Sequence, residues 1–368
     1  MIGHKLFPSR SGGVEVAVEA LAVRMAEKGH RVTVYNRGKN PELNEKFYKG
    51  VRVRSTPVIE RSGIAAAMGS YLATLHAIFC GYDCIHYHAE GPAAAAWLPR
   101  LLGIPTVVTI HGLNWRSSKW GRFASWYLRQ GEKIAARCAD EVIVLSRAME
   151  RYFLDTYGRQ TAYVPNGVEP PSFRPAVEIS ERWGLEKEGY ILYLGRVVSG
   201  KGINTLIEAF CNVHTDLKLV IAGGQDSEEY LARLRELASG DDRIIFTGFV
   251  QGVPLEELYS NCRIYCLPSE EEGMPISLLE AMSYRCCCVS SDIPECTEVL
   301  QGYGYTFRNK DAGDLRRVLQ MLCDQPELAD RHRTPAGEYV LSNYNWDQTA
   351  EQTLRLYQKS RRHKDKSQ

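Results

Sequence analysis

The sequence predicts an α/β protein built from two doubly wound domains in series, and three observations carry that expectation. Short β-like runs alternate with helical patterns twice over, once before residue 164 and once after residue 189. A stretch dense in proline and turn residues, 164–175, separates the two series. At 368 residues and 44% hydrophobic, the chain can bury two cores of ordinary size. Strands alternating with helices pair in parallel through right-handed crossovers. The loops after the strands then gather on one edge of each sheet, where ligands bind.

In the first series, Ser11-Gly12-Gly13 leads into residues 14–25, where Val14, Ala17, Val18, Leu21 and Met25 recur at helical spacing. Gly29 ends that helix and 31–35 reads as a strand. A Gly-rich loop, a helix and a strand form the building block of a doubly wound sheet. As a phosphate loop the three residues alone say little, because glycine is ordinary in turns. Further strands are expected at 84–88, 106–111 and 141–145, with helices near 64–80, 92–102 and 122–138. The ligand edge would collect His88, Glu90, His111, Gly112 and Ser146. The stretch from Ser62 to Gly81 has the length of a membrane span, but Ser70, Thr74, His76 and its alanines suit a buried helix better.

Residues 164–175 read as the crossing between domains. Beyond them, strands are expected at 190–194, 218–222, 243–247, 263–267 and 287–290. Helices are expected at 203–212, 227–239, 254–261, 275–283 and 311–323, and the loop 195–202 carries Arg196 and Lys201. The most informative stretch is 268–282, PSEEEGMPISLLEAM. It places Glu272 in a loop at the mouth of a helix and Glu280 inside that helix, with seven residues between them. Pro275 at the first turn costs no hydrogen bond, since that N–H has no intrahelical partner. The first-turn amides of Met274, Ile276 and Ser277 add a partial positive charge of roughly half a unit. Such a mouth suits a diphosphate, with a carboxylate on either side for sugar hydroxyls. The plain alternative is an acidic loop before a capped, half-buried helix.

The last pattern, 346–357, is a long amphipathic helix with a basic tail of Arg361, Arg362, Lys364 and Lys366, expected to be solvated or disordered. The expected domains are 1–165 and 166–345, with a C-terminal segment, 346–368, crossing back to the first.

A net charge of +1 gives no electrostatic case for nucleic acid. The eleven cysteines are scattered and odd in number, include Cys286-Cys287-Cys288, and lack zinc-like spacing. A reducing cytoplasm accounts for them most simply. The start, Met1-Ile2-Gly3-His4, shows no secretory signal.

Five segments occur together: Ser11-Gly12-Gly13, the VPNGVE run at 164–169, Gly195-Arg196 with Lys201-Gly202, Phe246-Thr247-Gly248-Phe249, and Glu272-x7-Glu280-Ala281-Met282. In combination they resemble a family 4 retaining glycosyltransferase of the GT-B fold, in which two Rossmann-like domains face each other across a cleft. The stretches Gly3-His4-Lys5, Pro8-Ser9-Arg10, Gly12-Gly13-Val14-Glu15, His86-Tyr87-His88 and His111-Gly112-Leu113-Asn114-Trp115 are similar to a bacterial rhamnosyltransferase-like subgroup. That subgroup is associated with capsule and exopolysaccharide assembly.

The resemblance implies that Arg196 and Lys201 neutralise the donor's diphosphate as the sugar–oxygen bond breaks. Gly12 and Gly13 would approach the same phosphates from the other domain. Glu272 would hold hydroxyls of the donor sugar and Glu280 those of the ribose. The backbone at Gly248, Phe249 and Val250 would face the base, and Gly273, Met274, Ile276 and Ser277 would line the donor. His111 would lie close to the transferred sugar, with His88, Glu90, Asn114 and Trp115 on the acceptor side. Retention in such enzymes needs no protein nucleophile, because the leaving phosphate accepts the acceptor's proton, unlike the two-carboxylate glycosidases. No metal and no cofactor are implied beyond the nucleotide-diphosphate sugar itself. The acceptor would be a saccharide or lipid-linked saccharide, and hinge closure between the domains is expected.

The chain departs from the pattern three times. Met1-Ile2 leaves almost no first strand, where relatives have several more apolar residues; a central strand is buried on both faces. Arg285 stands where relatives commonly have Gly, so a positive φ there would carry strain. Pro275 replaces the second glycine of the common EGFG form, removing one amide but keeping the helix start.

Other readings compete for some of these residues. His86 and His88 share a strand face and could be drawn with His111 as a zinc site, but no fourth ligand has sensible spacing. Cys286 to Cys288 fit a buried strand. Trp115, Arg116, Lys119, Trp120, Arg122, Phe123, Trp126 and Arg129 interleave aromatic and basic side chains. They read either as a helix packing its aromatic side inward or as a contact with an anionic membrane surface, on the inner face of the plasma membrane. The rival functions are a nucleotide-sugar epimerase on a similar fold, a dinucleotide-dependent oxidoreductase and a catalytically idle nucleotide-binding protein. The first is disfavoured by Glu272…Glu280 with Arg196 and Lys201, and the second by the absence of G-x-G-x-x-G after a strand.

Overall fold

The computed structural model describes residues 1–38, 46–57, 64–116 and 120–365. Ser62, Lys119, Lys366 and the side chains of Arg362 and Lys364 lie outside the described residues. The chain divides into two compact units, Met1–Gly167 with Trp346–Gln368, and Val168–Asn345. The first crossing falls inside the proline-rich stretch, and the C-terminal helix Trp346–Asp365 belongs to the first unit. Ala350 packs there against Leu21 and Met25, with Leu354 and Tyr357 alongside.

The first unit holds β1 (Thr33–Arg37), β2 (Phe47–Tyr48), β3 (Val51–Thr56), β4 (Ile85–His88), β5 (Thr106–Ile110), β6 (Glu141–Val144) and β7 (Ala162–Tyr163). They run in the orders β1-β3-β2 and β4-β5-β6-β7, parallel except for the β2/β3 hairpin. Ile2 joins the two groups, pairing in parallel with Tyr35 on one side and Tyr87 on the other. The expected near-absence of a first strand is therefore realised as a one-residue bridge. Its core is Val108, Ile110, Val142 and Val144 with Tyr87 and Phe153, all fully buried or nearly so. Buried on both faces, these strands read as continuous apolar runs rather than alternating ones.

The second unit holds β8 (Tyr190–Leu194), β9 (Lys218–Ala222), β10 (Ile244–Gly248), β11 (Ile264–Leu267), β12 (Cys287–Ser291) and β13 (Tyr305–Phe307). The order is β10-β9-β8-β11-β12-β13, parallel throughout. Strand order runs one way from β8 and the other way from β11, so the two sit at a topological switch point. Connecting helices leave on opposite faces there and open a crevice at the carboxyl ends. The loops at that point are 195–202 and 268–275. The three consecutive cysteines are buried in and beside β12, where burial pushes their thiols up.

Several local expectations need correction. The helix expected near 92–102 is two short ones, Glu90–Ala93 and Trp97–Leu101. Between them Ala95 and Ala96 bond three residues back, and Pro99 has no N–H with which to continue an α-helical ladder. Ser146 lies just past the carboxyl end of β6, at the expected edge, where its hydroxyl caps helix Arg147–Tyr157 by accepting from the Met149 amide at 3.2 Å. That helix, strands β2, β3, β7 and β13, and helices Glu178–Trp183, Pro294–Leu300, Pro326–Arg331 and Arg333–Asn343 add to the expected set. Helix Ile64–Ile78 buries Ala73 and Ala77, and no helix of the described residues is long and apolar enough to cross a membrane. In the basic tail, Arg361 pairs with Asp83 at 3.0 Å. Arg285 does adopt a left-handed φ of 59°.

Candidate active site

In the second unit, the loops after β8 and β11 touch. A Cβ on Gly202, which has a φ of 65°, would fall 1.9 Å from the Pro268 carbonyl oxygen, so only glycine lets the loops meet this closely. The Glu270 amide donates to the Gly200 carbonyl at 2.9 Å. This clamp brings Lys201 Nζ to 2.5 Å from Glu272 Oε1, which also accepts from Ser269 Oγ at 2.7 Å. Lys201 and Glu272 keep 21% and 11% of their side-chain surface exposed, so the pair is reachable from the edge. Arg196 is more open and pairs with Asp226 at 3.4 Å, its carbonyl accepting from Tyr193 Oη.

Helix Ile276–Ser283 starts one residue later than expected. Pro275 is its N-cap in extended conformation and accepts the Leu278 and Leu279 amides. The Ile276 and Ser277 amides are left as the first-turn donors without intrahelical acceptors. Two buried tyrosines hold this helix from below. Tyr265 Oη donates to Ser277 Oγ at 2.8 Å, and Tyr259 Oη donates to Glu280 Oε2 at 2.9 Å. Gly248 closes β10 with a φ of 71°, and Phe249 follows it half exposed. Gly273, Met274 and Val250 complete the edge, Met274 nearly buried. The arrangement can take a polyanion: two cationic side chains, free amides at a helix mouth, and a carboxylate held ready for hydroxyl donors.

Sequence reasoning missed Ser269, Asp226 and the tyrosines Tyr193, Tyr259 and Tyr265. Ser269 stood in the PSEEEG stretch three residues before Glu272, a visible signal. Asp226 and the tyrosines carried none.

In the first unit, His88 ends β4 and His111 follows β5, with His88 Nδ1 3.0 Å from His111 Nε2. His86 lies behind His88, ring centroids 4.1 Å apart, and is tied to Tyr357 Oη at 2.6 Å and Thr109 Oγ1 at 2.7 Å. His4 Nε2 meets Asn36 Oδ1 at 3.0 Å. Burial lowers all four imidazoles, His111 to about 4 and His4 to about 3, so they are neutral at pH 7. Among the described residues no group of three or more His, Cys, Asp or Glu could hold a metal ion. The zinc drawing fails because His86 has both ring nitrogens engaged with hydroxyls.

Glu90 is fully buried. One oxygen accepts from Asn114 Nδ2 at 2.8 Å, while Oε1 has no partner among the described residues. Burial raises this carboxyl to about 8, so it is protonated at neutral pH. Trp115 donates its indole N–H to the buried Glu132 at 2.7 Å and lies under the guanidinium groups of Arg116 and Arg129. The aromatic-basic stretch thus divides: Trp115 packs inward, whereas Phe123 and Trp126 are 77% and 56% exposed and stack on each other. Gly12 and Gly13 open helix Gly13–Glu27.

Known proteins match both units. The family model described as glycosyl transferases group 1 matches residues 177–362, half of the chain, and that of glycosyltransferase family 4 matches 11–171. The chain is similar to an alpha-D-kanosaminyltransferase of Streptomyces kanamyceticus, 27% identical over 74% of this chain and 76% of that protein. It is equally similar to a phosphatidyl-myo-inositol mannosyltransferase of Mycobacterium leprae, 27% identical over 94% and 93%. Among solved structures, sucrose-phosphate synthase from Thermosynechococcus elongatus shares the fold at a TM-score of 0.82 and 22% identity, covering 97% of this chain and 95% of that one. By sequence over both units and by fold, the chain belongs to the group 1 glycosyl transferases, enzymes of GT-B fold that act on nucleotide-sugar donors.

Proposed function

We propose that the protein transfers a hexosyl or deoxyhexosyl group, with retention, from a nucleoside diphosphate sugar to a saccharide or lipid-linked saccharide in cell-surface glycan assembly. The observation that carries this reading is the Lys201–Glu272 pair at the switch point, beside the mouth of helix Ile276–Ser283. Lys201 and Arg196 offset the charge that develops on the departing diphosphate. Glu272, oriented by Ser269, accepts from hydroxyls of the donor sugar, and Glu280, oriented by Tyr259, from those of the ribose. Gly12, Gly13 and His111 act from the first unit, and Gly248, Phe249 and Val250 line the base. The leaving phosphate takes the acceptor's proton, so no side chain serves as nucleophile.

A lipid-linked acceptor is supported by the relative that mannosylates phosphatidyl-myo-inositol. The exposed Phe123–Trp126 pair, with Arg122 and Arg129 on the same helix, supports a peripheral contact with an anionic membrane on its cytoplasmic face. In vesicle flotation with anionic lipid at low salt, the wild type is expected to float and Phe123→Ser/Trp126→Ser to stay below. Equal recovery of the two removes the contact.

Calorimetry with UDP, GDP, dTDP, ADP and NAD tests the central reading. Selective micromolar binding of one nucleoside diphosphate, lost in Arg196→Ala, is expected; binding of NAD alone overturns it. With the matching nucleotide sugar, the anomeric configuration of the product, read by NMR, decides retention.

A further inference from the structure

We infer that His88 is a positioning residue that fixes His111 as its Nδ1–H tautomer, so that a neutral ring offers an N–H donor at the end of β5. The identity of the tautomer follows from geometry alone. What the donor is used for rests on the glycosyltransferase reading above.

One hydrogen bond joins His88 Nδ1 and His111 Nε2, so one nitrogen carries the proton and the other accepts. If His111 Nε2–H were the donor, the single proton of His88 would sit on its Nε2. That atom is buried and has no partner among the described residues, so a bare N–H would be orphaned in the core. If His88 Nδ1–H is the donor, the orphan is only a lone pair, and the proton of His111 moves to Nδ1. Orphaned buried N–H groups are rarer than under-satisfied acceptors.

His4 settles the same problem in the same way. Asn36 Nδ2 donates to the Phe7 carbonyl at 3.0 Å, so Asn36 Oδ1 must accept from His4 Nε2–H. The buried orphan of His4 is then Nδ1, a lone pair. Double protonation of either ring in the pair is disfavoured by burial.

The ring of His88 cannot turn to escape this assignment without losing its bond, and His86, held at both nitrogens, packs against its face. Neutral imidazole in water prefers the Nε2–H form, so the tautomer of His111 is imposed. His111 Nδ1 makes no hydrogen bond among the described residues and remains available to a sugar oxygen. A neutral donor orients that oxygen without adding a positive charge at the end of β5.

The test is long-range proton–nitrogen NMR on the full chain labelled with 15N-histidine at pH 7.5, with His111→Gln assigning the signal. The expected result is His111 protonated at Nδ1 and bare at Nε2, reverting toward Nε2–H in His88→Leu. His111 protonated at Nε2 in the wild type overturns the inference, as does an unchanged tautomer in folded His88→Leu. Neither arm needs a substrate, so a failed glycosyltransferase reading leaves the tautomer result standing. Where turnover is measurable, His88→Asn keeps an N–H at the position of Nδ1 and is expected to retain kcat. His88→Leu is expected to lose about 10- to 100-fold in kcat with KM little changed. Equal losses in the two variants also overturn the positioning role, even if both melt like the wild type.

Discussion

The two units place histidine and charge in opposite ways. In the second unit the candidate residues are charged, partly open to solvent and paired with each other: Lys201 with Glu272, Arg196 with Asp226. In the first, three imidazoles, His86, His88 and His111, pack in series, these and His4 are held neutral by burial, and Glu90 is held as the acid. An ion pair at an edge can exchange its partner for a phosphate at little desolvation cost. A neutral donor in a core can only aim. The second unit thus keeps its candidate side chains charged at a solvent-reachable edge, and the first keeps its own neutral in a core.

The largest effect that could break this contrast lies at the ion pair. Lys201→Ala is expected to lower kcat/KM by roughly 100- to 1,000-fold. The melting temperature should stay put, because Glu272 keeps Ser269 and the pair is partly exposed. Near-normal turnover in a folded variant removes Lys201 from the chemistry.

A second test uses acid. The four histidines have folded values far below the 6.5 of the unfolded chain, so they bind protons preferentially when unfolded. Their share of stability is fully present above pH 6.5 and is lost as pH falls toward 3. Glu90, raised to about 8, works the other way: its share is full below 4.5 and lost as pH rises through 8. The buried Met1 amine, lowered to about 5, loses its share as pH falls from 8 through 5 and so opposes Glu90 over most of that range. Calorimetric scans should show a plateau from pH 8 to 6.5 and then a fall of roughly 10 °C in the first unit by pH 4.5. Glu90→Gln should replace the plateau with a melting temperature that climbs up to pH 8. A first unit indifferent to pH between 7 and 4.5 contradicts the neutral cluster.

The smallest effect sharpens the comparison by testing a place where the second unit is strained away from its site. Arg285→Gly should relieve the left-handed backbone at φ 59° and raise stability by about 1 kcal/mol, with turnover unchanged. The Arg285 stem lies so near Gly337 that a Cβ there would fall 3.0 Å from Arg285 Cγ, and losing that packing limits the gain. A lower melting temperature would show that contact outweighing the strain.

The sequence made the sheets of both units legible because their strands are apolar runs bounded by turn residues; Tyr190–Leu194 and Lys218–Ala222 fall where the pattern puts them. It also exposed Lys201, Glu272 and the left-handed turn at Arg285, since each belongs to a local motif. The hairpin β2/β3 and helix Arg147–Tyr157 escaped because charged residues interrupt their apolar pattern. Tyr357 lies 271 positions from His86, and no local spacing could join them. For the same reason Asp226 and the tyrosines beneath helix Ile276–Ser283 became visible only in three dimensions. Neighbourhood in sequence tells of loops; charge states depend on what the fold stacks above and below them.

The one-residue strand at Ile2 deserves a mechanical reading. Half of the first unit's sheet, beginning at β4, is stitched to this strand by two backbone hydrogen bonds, the Ile2 amide to the His86 carbonyl and the His88 amide to the Ile2 carbonyl. The seam thus ends on the two residues that carry the stacked imidazoles. Parting it leaves β4 paired on the β5 side alone, where His88 stays in register with Thr109. A sheet that elsewhere spreads load over several rungs here carries it on two, both bearing on the strand that holds the stacked imidazoles.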